Sequence, residues 1–231
     1  MSDDNPHPID RAFLSNDPEA GQLILVRHGQ QQWPDPETAV VGDWIDPPLS
    51  DLGRQQAKAV AAYLAAEPIS VVYSSHLKRA HDTGKAVAEV KGVEQIVIEQ
   101  LEEINLYGEL PPDSRPIETL GEKVVIGARE RFVLTRRWDS YPHSETSADF
   151  RRRVGLAVEG AIADHPGETV VVACHGGVIN TYLADVLGLS VDMFYRPVHA
   201  SVHRIRFKGT VRAIDSLNEQ TFLRDQGLLS H

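Results

Sequence analysis

The chain has 231 residues, 42% of them hydrophobic and 24% charged, with a formal net charge of -10. That length suits one sizeable core, and the acidic balance argues against a nucleic-acid or anionic-membrane surface without excluding a local cationic cleft. A single cysteine, Cys174, rules out an intrachain disulfide and fits a reducing, cytoplasmic compartment, and no apolar run reaches the length of a membrane span.

Residues 1–20 hold Asp3, Asp4, Pro6, Pro8, Asp10, Asp17 and Pro18, and lack the basic start and apolar run of a secretory signal. They read as a partly disordered arm, with a short helix around Arg11–Leu14 as the alternative. Residues 21–231 read as one domain. Leu23–Val26 is an apolar run of buried-strand length that ends on Arg27-His28-Gly29. A loop with Trp33-Pro34, Pro36, Gly42 and Asp46-Pro47-Pro48 leads to Ser50, a good helix N-cap. Leu52, Ala57, Val60, Ala61 and Leu64 mark one face of the helix that follows. Ile69–Tyr73 is the next strand. Ser74-Ser75 is read as opening a helix with Leu77, Ala80, Gly84, Val87 and Ala88 on its apolar side, and Ile96–Ile98 as a short strand.

From about residue 104 to 144 the alternation breaks. Prolines and a helix from Glu118 to roughly Arg137 suggest a lid over the active face. Helical periodicity returns with Phe150, Val154, Ala157, Val158, Ala161 and Ile162. Thr169–Cys174 is a second buried strand ending on a histidine, here His175-Gly176-Gly177. A helix through Leu187, ended by Gly188, follows, and Val202–Phe207 with Val211–Leu217 forms a closing hairpin. The pattern predicts a three-layer α/β domain with a mostly parallel sheet, in which both histidines lie at the carboxyl edge where such sheets bind ligands.

A neutral imidazole can displace an alcohol from a phosphate monoester, and an adjacent guanidinium can pair with the phosphate oxygens. Taken singly, each signal has a plain structural alternative. His28 could be a satisfied strand-end histidine, Arg79 a solvated helix arginine, His175 a cap, and Glu102-Glu103 an exposed acidic pair.

Five blocks in order carry more weight. They are Arg27-His28-Gly29 with Trp33, Asp46 to Ala57, Ser74 to Ala80, Leu101 to Gly108, and Val172 to Val178. On these the chain resembles the histidine phosphatase superfamily, the phosphoglycerate-mutase-like proteins, from about Leu23 to Leu223. The resemblance implies that His28 is the nucleophile that becomes phosphorylated. It implies that Arg27, Arg79 and His175 bind the phosphoryl group, with the first amides of the following helix, Gly176 included, behind them. Glu103, rather than Glu102, is implied as proton donor. No metal or cofactor is implied, and His199 and His203 fall in loop and strand rather than on a helix face that could hold zinc.

Two departures matter. Pro34 stands where many relatives carry an asparagine that touches the phosphate, so Gln30 becomes a candidate for that contact. The lid sequence Glu109-Leu110-Pro111-Pro112 also diverges. Arg129, Arg131, Arg136, Arg137 and Arg151–Arg153 could meet a charged substrate, but such runs are more commonly solvated helix faces.

The expected activity is hydrolysis of a small phosphomonoester. A phosphoglycerate mutase and a non-catalytic phosphate-binding module are the alternatives, and a homodimer stays open as an assembly. A cysteine phosphatase is excluded, because Asn180 stands where an arginine is needed after Cys174. No P-loop is present.

Overall fold

A computed structural model of the chain describes residues 7–231. Among these, six strands form one sheet: β1 (Gly21–Arg27), β2 (Ile69–Ser74), β3 (Gln95–Val97), β4 (Thr169–Cys174), β5 (Val202–Lys208) and β6 (Val211–Glu219), in the order β3-β2-β4-β1-β5-β6. The pairs β3–β2, β2–β4 and β4–β1 are parallel, while β5 runs antiparallel to both β1 and β6.

Side-chain alternation explains why the central strands are apolar throughout. Leu23, Leu25, Val170, Val172 and Cys174 face a core closed by Phe150, Val154, Val158, Ile179 and Leu183. Ile24, Val26 and Val171 face the opposite core with Val60, Leu64 and Val87. Strands buried on both faces need apolar residues at every position. The covering helices are α3 (Asp51–Tyr63) and α4 (Lys78–Lys91) on one face, and α7 (Ser147–Ala163) and α8 (Gly176–Val186) on the other. The expected three-layer architecture is therefore present.

Several boundaries differ from those read in the sequence. The presumed arm carries a helix, α1 (Pro8–Phe13), and Asp17 is held by Lys208 at 2.9 Å; residues 1–6 lie outside the described residues. Ser74 ends β2 and does not cap α4. That helix starts at Lys78, whose amide donates instead to Asp46 Oδ1 at 2.7 Å. The single helix expected over 118–137 is two, α5 (Pro116–Leu120) and α6 (Glu122–Thr135), because Gly121 at φ +86° breaks the helical path. Two short helices, α2 (Val41–Ile45) and α9 (Thr221–Arg224), were not anticipated. Ser50 does cap α3, accepting from the Gly53 amide at 3.0 Å.

Candidate active site

The parallel register sets Arg27 opposite Cys174, so the next residues, His28 and His175, leave the sheet side by side. The His28 amide donates to the Cys174 carbonyl at 2.9 Å, and the two imidazole centroids are 5.1 Å apart. Both side chains are buried.

Hydrogen-bond chemistry fixes the proton on His28. Arg79 Nε lies 3.3 Å from His28 Nε2, and a guanidinium can only donate. Nε2 therefore presents its lone pair, and the ring hydrogen sits on Nδ1, which donates to the Gly29 carbonyl at 2.7 Å. Burial, reinforced by the cations Arg79 and Arg27 and by His175, holds the His28 pKa well below the ordinary histidine value. The ring is thus a neutral, oriented base. Both ring nitrogens of His175 are buried without a protein partner, and burial with Arg79 and Arg27 nearby lowers its pKa too.

The loop holding His28 is pressed onto α3 backbone to backbone. A Cβ on Gly29 would lie 2.5 Å from the Gly53 carbonyl oxygen, and one on Gly53 only 2.0 Å from that of Gln30. The Gly29 amide donates to Thr83 Oγ1 at 3.1 Å, an α4 contact with no signal in the sequence. Arg79 is clamped by donation from Nη1 to the Ile45 carbonyl at 2.9 Å. Burial lowers the Arg27 pKa to about 10, so it stays charged at neutral pH. Its Nη1 donates to the Pro197 carbonyl and its Nη2 to His199 Nε2 at 2.9 Å. Nε is buried and without a partner.

Glu103 reaches the same corner. Its Oε2 accepts from the Gly177 amide at 2.9 Å, in the first turn of α8, and its Oε1 from the Ile104 amide at 3.1 Å. A Cβ on Gly177 would sit 2.3 Å from Glu103 Oε1, so glycine is what lets the carboxylate rest on the helix N-terminus. Arg153 holds the turn that presents Glu103, donating to the carbonyls of Gln100 and Glu102 at 2.8 and 2.9 Å. Glu102 points elsewhere, 3.9 Å from His76. Gly176 lies against Arg27, where a Cβ would be 3.6 Å from Nε.

Gln30 joins the His28 loop to α3. Its Oε1 accepts from Ser50 Oγ at 2.9 Å and its amide donates to Gln56 Oε1 at 2.7 Å, so its bonds run to α3. The arginine run also divides. Arg152 is exposed beside Asp149, as a solvated face would have it, but Arg151 binds Asp185, Asp192 and the Val191 carbonyl. Arg137 pairs with Asp139, Arg131 donates to the Ser140 carbonyl, and Arg129 and Arg136 are exposed.

The buried histidines predict acid sensitivity. His199 and His203 are pushed down to about 3, chiefly by burial, and His28 and His175 are also lowered. Below pH about 6.5 the unfolded chain binds protons that the folded chain refuses. Stability present above that pH is then lost as pH falls toward the folded values. Denaturant titrations at pH 7.5 and 5.5 should show this fall, ahead of the carboxylates. Equal midpoints would contradict it.

Two imidazoles, two guanidiniums and a carboxylate thus converge at the carboxyl edge of the parallel strands. The family model described as histidine phosphatase superfamily (branch 1) matches residues 23–220. The chain belongs to that superfamily. It is 32% identical over 182 residues to phosphoserine phosphatase 1 of Hydrogenobacter thermophilus, covering 75% of this chain and 80% of that one. It is 31% identical over 221 residues to phosphoglycerate mutase-like protein 4 of Arabidopsis thaliana, covering 94% and 93%. The structure of a mycobacterial glucosyl-3-phosphoglycerate phosphatase superposes with a TM-score of 0.69 at 26% identity, covering 86% of this chain and 99% of that one. Among the described residues, no helix is long and apolar enough to cross a membrane, and no group of three or more His, Cys, Asp or Glu is arranged to hold a metal ion.

Proposed function

We propose that the protein hydrolyses small phosphomonoesters through a phosphohistidine. The observation that carries this reading is a neutral His28 ring with its hydrogen on Nδ1 and its Nε2 beside Arg79 Nε at 3.3 Å, its centroid 5.1 Å from that of His175, whose ring nitrogens are both unpartnered. As the Arg79 N–H turns from Nε2 to a phosphoryl oxygen, the freed Nε2 lone pair attacks phosphorus in line with the ester oxygen. Arg27, Arg79 and His175 hold the equatorial oxygens as charge spreads over them. As the P–O bond breaks, Glu103 supplies the proton that the departing alkoxide takes up. Water then attacks the phosphohistidine with Glu103 as base, the P–N bond breaks, and His28 returns to its neutral form with inorganic phosphate released. Segment 104–144 serves as the lid. Relatives named as phosphatases support hydrolysis.

The mutase reading has its own support in the Arabidopsis relative. Supplying 3-phosphoglycerate with its bisphosphate primer separates the two, alongside p-nitrophenyl phosphate. Free phosphate from both esters supports the hydrolase. Rapid 2-phosphoglycerate formation without free phosphate would replace it with the mutase, and no turnover of either would leave a binding module.

Glu103→Gln tests the acid role. It should slow hydrolysis by about 10² to 10⁴-fold for alkyl phosphates and far less for p-nitrophenyl phosphate, whose leaving group needs no proton. A uniform loss across a leaving-group series would remove Glu103 from that role.

A further inference from the structure

His199 lies against both members of the Arg27-His28 pair. Its ring centroid is 5.7 Å from that of His28, and its Nε2 is 2.9 Å from Arg27 Nη2. Because the arginine can only donate, His199 Nε2 must carry the lone pair and Nδ1 the hydrogen. That hydrogen is directed at Ser230 Oγ, 2.9 Å away. The same serine accepts from Gln56 Nε2 at 2.8 Å, and its carbonyl accepts from the His199 amide at 3.2 Å. Gln56 also holds the Leu228 carbonyl at 2.7 Å, and its Oε1 accepts from the Gln30 amide two residues past His28. Residues 228–230 are thereby tied through two side chains to both ends of the catalytic loop.

The consequence falls on Arg27. Two of its three nitrogens are committed to protein acceptors, the Pro197 carbonyl and His199 Nε2. The third, Nε, is buried and uncommitted, and lies against Gly176 beside His175. Fixing Nη1 and Nη2 fixes the plane of the guanidinium, and so directs the Nε edge at the start of α8. A guanidinium on a flexible stem otherwise samples many rotamers.

We propose that His199, oriented by Ser230, is a positioning residue that sets the Arg27 guanidinium for phosphoryl binding. This rests on the reading that Arg27 grips the phosphoryl group. Burial keeps His199 neutral at working pH, as acceptance from a cation demands, because a protonated ring would turn an N–H toward the arginine.

The test measures binding of inorganic phosphate by titration calorimetry, alongside kcat and KM on p-nitrophenyl phosphate, with melting curves as a fold control. His199→Leu removes acceptor and donor together. It should weaken phosphate binding about tenfold and lower kcat/KM by about 10 to 100-fold. His199→Gln offers an amide oxygen to Arg27 and an N–H to Ser230, and should recover most of both. Ser230→Ala should show a smaller loss of about threefold in the same two readouts, and Ser230→Thr should restore it. Phosphate affinity unchanged in His199→Leu, or lost equally in His199→Leu and His199→Gln, overturns the proposal. If His199→Leu does not melt cooperatively, Ser230→Ala decides, and an unchanged phosphate affinity there overturns it. A wild-type protein that binds phosphate but turns over neither ester removes the hydrolase reading, while the phosphate titrations still judge the role of His199.

Discussion

His28→Ala should abolish turnover of p-nitrophenyl phosphate, by about 10⁴-fold or more, while inorganic phosphate still binds within about tenfold of wild type. The asymmetry follows from the geometry. The substitution removes the one lone pair that Arg79 and the Gly29 carbonyl hold in place. It leaves Arg27, Arg79 and His175, the groups proposed to bind the anion. The β1–β4 register does not depend on the imidazole, so the fold should persist. Retention of more than about a hundredth of the activity would show that another group attacks phosphorus.

Arg79→Ala should cost about 10² to 10³-fold in kcat/KM, the scale expected for deleting one charged donor from a site that stabilises developing negative charge. Its effect should also have a pH signature. Arg79 is the largest charge holding the His28 pKa down, after burial itself. Removing it lets that pKa rise, so the acidic limb of kcat/KM should move to higher pH. Arg79→Lys keeps a charge but has a single nitrogen where Arg79 uses Nε for His28 and Nη1 for the Ile45 carbonyl. It should recover only part of the loss. Wild-type activity in Arg79→Ala would place the phosphoryl group elsewhere.

The sheet and both histidines were legible because their signals are local. Leu23–Val26 and Thr169–Cys174 are continuous apolar runs, and each ends on a histidine followed by glycine. Glu103 and Arg79 were singled out by ordered blocks, not by anything their immediate neighbours require, and the structure places both near the two histidines. What stayed hidden is non-local. Arg27 meets His199 across 172 positions, and Gln56 meets Ser230 across 174. Arg151 and Arg153 look like a charged helix face in sequence, yet their partners lie elsewhere in the chain, at Asp185, Asp192 and the turn before Glu103. The helices α2 and α9 are too short to show a period. Gly121, inside the run read as one helix, takes a left-handed φ of +86° that splits it.

Trapping the covalent intermediate tests the central claim most directly. The enzyme is mixed with a phosphate-labelled ester, quenched in alkaline denaturant that preserves a P–N bond, and mapped by peptide. We expect a single labelled residue, His28, modified at Nε2, that appears and decays at rates consistent with turnover. Label on any other side chain, or steady phosphate release with no protein-bound label, would contradict it.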